Sequence, residues 1–130
     1  MFFILHVLLM AISTLGIIAG LSTAMFFRQK KNWLNIHKYI NSFSLLGLTT
    51  GIIIAFIYVS GTSGKHIDGL HQIAGLTAYN FAVATLFLGL YQFKAKNKSA
   101  ARTMHRWLGR FSLLLFLTAI TFGLILINIL

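Results

Sequence analysis

His71-Gln72-Ile73-Ala74-Gly75 and His105-Arg106-Trp107-Leu108-Gly109 open two apolar runs with identical offsets, glycine falling at +4 and again at +18, at Gly89 and Gly123. The two copies lie 34 residues apart; a further step of 34 back from His71 reaches His37, and His6 lies 31 before that. The first two histidines carry a glycine pattern of their own at +10 and +14, Gly16 and Gly20 after His6 and Gly47 and Gly51 after His37. Four histidines thus open four hydrophobic segments, one each. A period of 34 also suits a helix-turn-helix solenoid, but such a repeat holds two short amphipathic helices, whereas here each period is one long apolar run.

Composition places these runs in a bilayer. Of 130 residues, 58% are hydrophobic and 9% charged, too few charges to clothe a soluble domain. Four stretches, approximately 2–27, 36–59, 70–93 and 107–130, exceed the roughly 20 residues that a spanning helix needs. The expected fold is an all-α integral membrane protein, a four-helix transmembrane bundle running up-down-up-down, with residues 1–130 forming a single transmembrane domain. Only short loops separate the spans, so no soluble substrate-binding module is expected. The first apolar run is expected to stay as the first span, because its positive charges follow it, whereas a cleaved signal peptide carries them in front.

The net charge of +10 would suggest nucleic acid in a soluble protein; here its placement decides, and no nucleic-acid partner is expected. Arg28, Lys30, Lys31 and Lys38 surround the first connection, and Lys94, Lys96, Lys98, Arg102, Arg106 and Arg110 surround the third. The second has Lys65 and the sole acid, Asp68. By the positive-inside rule the first and third connections face the cytoplasm and both termini face the other side. Trp33, Tyr39, Tyr91 and Trp107 fall where an inner aromatic belt belongs.

With no cysteine, disulfides, thiolate-held clusters and c-type haem attachment are excluded, so a redox centre must use other ligands. Histidine is the obvious one. On a helix, offsets of +4, +14 and +18 return to within about 40° of the starting direction, so these glycines share the histidine's face. They serve close helix packing or leave room for a flat macrocycle. Successive spans run in opposite directions, so His6 and His71 share the outer side while His37 and His105 share the inner side. Two pairs of imidazoles follow, each suited to grip one iron from opposite faces and leave no open position for dioxygen. His66, in the outer loop, reads as a surface residue with a lesser chance of meeting an electron donor or acceptor. Asn80, near the middle of the third span, is expected to find a partner across a helix interface. Phe111 and Phe116 read as packing and lipid-facing surface.

These motifs resemble the cytochrome b561 family, in the four-helix di-haem core also found linked to DOMON domains. The resemblance rests on His6-Val-Leu-Leu-Met10, His37 with Asn41 one turn on, His66, His71-Gln-Ile-Ala-Gly75 and His105-Arg-Trp-Leu-Gly109-Arg110. It covers nearly the whole chain, and the last two motifs are its most specific part. It implies two b-type haems, one held by His6 and His71 and the other by His37 and His105, and an electron carrier working on ascorbate or another reductant and on monodehydroascorbate or ferric iron. The extra flanking helices and the outer soluble domain of many members have no counterpart in this sequence, which favours a membrane quinol, a redox partner protein or a homodimer as the setting. Haem carboxylates in a membrane need cations, and Lys38 and Arg110 are the expected partners of the inner propionates.

No paired carboxylates, nucleophile with a base, or phosphate-binding glycine loop occurs, so no bond-making catalysis is expected. A membrane anchor or scaffold subunit of a larger redox complex, with one haem or none, is the alternative.

Overall fold

The computed structural model describes residues 1–130. It is all-helical, with α1 Phe2–Phe26, α2 Trp33–Ser60, α3 Leu70–Tyr91 and α4 Lys98–Leu126, each long and apolar enough to cross a membrane. The protein is therefore an integral membrane protein built from four helices. No cis peptide bond or internal proline interrupts them.

The helix bounds match the expected spans closely except in α4, which starts at Lys98 rather than near Trp107 and stops at Leu126. The early start has a local cause. Asn97 caps the helix, its side chain accepting the Ala100 N–H at 3.0 Å, and Ala95 and Ala101 are buried, which ties the first turn down onto its connection. At the other end the chain leaves the helix through Asn128, whose φ of 56° lies in the left-handed region that asparagine tolerates. Hydrophobicity marks where a helix meets lipid; capping decides where it begins.

The helices pack as two compact units, Met1–His66 and Ile67–Leu130. In each, two antiparallel helices meet along small residues. Hairpin 1 buries Ser13, Thr14, Ile17 and Gly20 of α1 and Ser44, Leu48 and Gly51 of α2. Hairpin 2 buries Ala78 of α3 and Ala101, Gly109, Ser112, Phe116 and Ala119 of α4. Between helices already in lipid there is little hydrophobic drive to associate, so close van der Waals approach over small side chains takes its place.

The centre of hairpin 1 is nearly two-fold symmetric. A Cβ on Gly16 would fall on Ser44 Oγ, and a Cβ on Gly47 would fall on Ser13 Oγ. Counted from the histidine of its own helix, each glycine is at +10 and each serine at +7. The matching serine in hairpin 2, Ser112 at +7 of α4, is buried and donates to the carbonyl of Ala78, at +7 of α3, at 3.3 Å. Phe116 is the large knob of hairpin 2, fully buried, while Phe111 is partly exposed and meets Phe81 edge-on at 5.2 Å. Asn80 departs from expectation: it is exposed and donates to Leu76 O in its own helix at 2.8 Å, so its amide is satisfied without crossing any interface.

Gly16→Val should destabilise hairpin 1 by about 1–3 kcal/mol, the usual cost of overpacking, because the branch meets Ser44 on a helix face with no room to give. Gly75→Ala should change stability little, since a Cβ there meets nothing within 4 Å. Unfolding in mixed micelles, followed by circular dichroism against increasing denaturing detergent, measures both.

Candidate functional site

The four span histidines share one environment. His6 Nδ1 donates to Gly51 O at 2.9 Å and His37 Nδ1 to Gly20 O at 2.8 Å, within hairpin 1. His71 Nδ1 donates to Ala119 O at 2.8 Å and His105 Nδ1 to Thr85 O at 2.9 Å, within hairpin 2. In every case the accepting carbonyl belongs to the residue 14 positions beyond the histidine of the neighbouring helix. One rule generates all four bonds.

The surrounding small residues follow from that rule. A carbonyl inside a helix points toward the N–H four residues on, so a side chain reaching its second lone pair passes the residues at +14 and +18. Those pairs are Gly20/Ala24, Gly51/Ala55, Thr85/Gly89 and Ala119/Gly123. The glycines sit under imidazoles or their neighbours: a Cβ on Gly89 would lie 2.7 Å from His105 Cε1, and one on Gly123 would lie 3.0 Å from His71 Nδ1. In hairpin 1 the residue one turn after each histidine fills the remaining space, Asn41 against Gly20 and Met10 against Gly51. Hairpin 2 reverses the sizes, with glycine at +4 and Thr85 or Ala119 at +14. Of the two roles expected for the distal glycines, close helix packing and room for a macrocycle, the contacts bear out the first, since the neighbouring helix's own side chains occupy that space.

These bonds fix the imidazole chemistry. A carbonyl only accepts, so each Nδ1 carries the ring proton and Nε2 carries the basic lone pair. At His37 the Asn41 amide lies 3.2 Å from Nδ1, but it donates to His37 O at 2.7 Å, which leaves the Nδ1 proton to Gly20 O. Interhelical hydrogen bonds in membranes average only about 0.6 kcal/mol, so their larger effect is to fix the orientation of the ring. An Nδ1–H held by a backbone carbonyl is also the usual outer partner of a metal-ligating histidine. All four side chains are half-buried.

Each hairpin places one histidine at its connected end and one at its open end. His6 lies level with Gly51, which is 14 residues along α2 from His37, so the two imidazoles of hairpin 1 are about 21 Å apart along the helices. The same count from His105 to Ala119 gives hairpin 2 the same spacing. Neither hairpin can bring two of its span histidines to one metal.

His66 is more enclosed than a surface loop residue. Its ring stacks on Phe56 at 4.7 Å and 11°, and its Nε2 lies 3.2 Å from Ser60 Oγ. Ser60 already gives its hydroxyl proton to Phe56 O at 2.9 Å, so His66 must donate from Nε2. Its Nδ1 is then a bare acceptor, buried and without a partner. The Oε1 of Gln72 is likewise a buried acceptor without a donor. Sequence spacing gave no sign of either atom, because both follow from how the connection after α2 and the start of α3 fold.

The cations expected to meet propionates are both exposed. Arg110 lies over the Trp107 ring at 5.3 Å, and Lys38 follows His37 in the second turn of α2. Arg28 sits over Trp33 in the same manner, at 5.7 Å. No family model, curated protein or solved structure matches this chain.

Nitrogen-15 NMR of imidazole-labelled protein without added cofactor, at mildly alkaline pH, should show two tautomer classes. His6, His37, His71 and His105 should be protonated on Nδ1, and His66 alone on Nε2. A majority of Nε2–H rings would contradict the carbonyl bonds.

Proposed function

We propose that this chain is a transmembrane electron carrier, a di-haem b-type cytochrome with one bis-histidine haem near each membrane face, akin to the cytochrome b561 family. The observation that carries the reading is the fourfold Nδ1–H bond to a backbone carbonyl, which presents Nε2 as the ligand atom of every span histidine. The imidazoles of one hairpin stand about 21 Å apart, and by the alternating direction of the spans His6 with His71 and His37 with His105 would hold the two groups. Gly75 adds to the fit. Beside His71 and one turn on, it is a span glycine whose missing Cβ faces open space, so packing against its neighbour does not explain it.

A haem held in this way would supply a reversible one-electron iron couple. The chain's own residues do the rest. The carbonyls of Gly51, Gly20, Ala119 and Thr85 hold the rings in one tautomer, and the helix rise sets the two levels apart. Lys38 and Arg110 neutralise carboxylates on the cytoplasmic side, where the basic first and third connections lie, and both termini face the opposite side. At the end of hairpin 1 away from its connection, His66 Nδ1 is a buried acceptor that lacks a donor, which favours a hydroxyl-bearing reductant such as an enediol or a hydroquinol as the electron source there. The acceptor is a ferric or organic oxidant or a redox protein on the other face. The alternative, an anchor or scaffold subunit for a larger redox complex, uses the same helices without a full complement of haem.

Purified protein should contain about two haems per chain, with the low-spin absorption of paired imidazoles. His105→Ala should remove one haem and leave the other, and Gly75→Leu should lower occupancy at the His71 level while the helix content stays unchanged. Protein that folds but stays colourless after haem reconstitution selects the anchor reading.

A further inference from the structure

The first three turns of α4 do not fit the needs of a membrane span. At 29 residues α4 is about 43 Å long, whereas α3 in the same hairpin has 22 residues, about 33 Å, close to the roughly 30 Å of hydrocarbon. The excess lies at the start, where Lys98, Arg102 and Arg106 follow one another at intervals of four and fall within about 80° of one face. All three are exposed. Trp107 begins the apolar part, 64% exposed and capped by Arg110 on its ring face, as an interfacial anchor would be. The stripe thus stands at the height of the lipid headgroups.

The charges have no answer inside the molecule. Asp68 is the only acidic side chain, and it lies in the connection after α2, at the far end of hairpin 2 from this stripe. A free cationic stripe beside a tryptophan anchor finds its anions in the bilayer plane, where phosphates lie at the same level as the guanidinium groups. Arginine's planar fork also matches phosphate oxygens two at a time.

We propose that the Lys98–Arg106 face of α4 is a binding site for anionic phospholipid headgroups. This assignment is independent of the haem reading, and it gives the overhanging turns a partner: they lie among acidic lipids rather than projecting into water. An acidic soluble protein docking on the same stripe is the competing occupant.

The test is native mass spectrometry of the full chain in detergent, titrated with phosphatidylglycerol and, separately, with phosphatidylcholine. Phosphatidylglycerol should be retained preferentially and lose its preference as ionic strength rises. R102Q/R106Q should weaken its binding about 30-fold, from roughly fivefold per charge near a headgroup layer, while R102K/R106K keeps most of it. K30Q/K31Q, in hairpin 1, should leave it unchanged. Equal retention of the two lipids by the unaltered protein, or a preference insensitive to salt, overturns the assignment without any variant. So does phosphatidylglycerol binding that survives R102Q/R106Q.

Discussion

The hydrogen bond from imidazole Nδ1 to a carbonyl on the adjacent helix is the constraint on which the rest of this structure depends. A helix carbonyl has a second lone pair but is normally shielded by side chains around it, so the donor reaches it only where the shield is missing. Satisfying that condition four times requires small residues at two positions per helix, and it accounts for Gly20, Gly51, Gly89 and Gly123 together. It also fixes how each pair of helices is aligned, since both ends of a hairpin must be in register at once. The serine-glycine contacts at the middle of hairpin 1 obey the same register and tighten it.

Hairpins 1 and 2 meet this constraint with different residues. In the first, the side chain one turn after the histidine is substantial, Asn41 or Met10, and the carbonyl donor residue is glycine. In the second, the residue one turn on is Gly75 or Gly109, and the carbonyl belongs to Thr85 or Ala119. The larger side chain moves from the residue after the histidine to the residue that supplies the carbonyl. In hairpin 2 this leaves open space beside Gly75, whereas hairpin 1 has Asn41 donating to His37 O close to the imidazole. The two hairpins are therefore equivalent in backbone register and unequal around their rings.

Much of this was legible in the sequence because its causes are periodic. The apolar runs gave the four helices, and the repeated histidine-glycine offsets marked the faces that meet. The purpose of the glycines at +14 and +18 was harder to see. Their offsets from their own histidine are regular, but the group they accommodate comes from the other helix, and only antiparallel packing brings it there. The extended start of α4 escaped for a different reason: Lys98 to Arg106 is polar, so hydropathy ends the span at Trp107, while the Asn97 cap and buried Ala101 let the helix begin earlier. The amide of Asn80 shows the converse, a depth-based expectation defeated by a bond to its own helix. The buried acceptors on His66 and Gln72 depend on loop conformation, which no periodicity encodes.

The 14-residue interval makes each hairpin a calliper. Its jaws are two imidazoles, and its span is set by the rise of an α-helix, which backbone dihedrals and hydrogen bonds fix and bilayer thickness does not stretch. Helices in a thinner or thicker membrane accommodate by tilting, which moves both jaws together and leaves their gap unchanged. A single-residue insertion between His37 and Gly51 would rotate one jaw by about 100° relative to the other, so that the two rings could not keep their carbonyls at once, and this interval should tolerate substitution far better than any change in length.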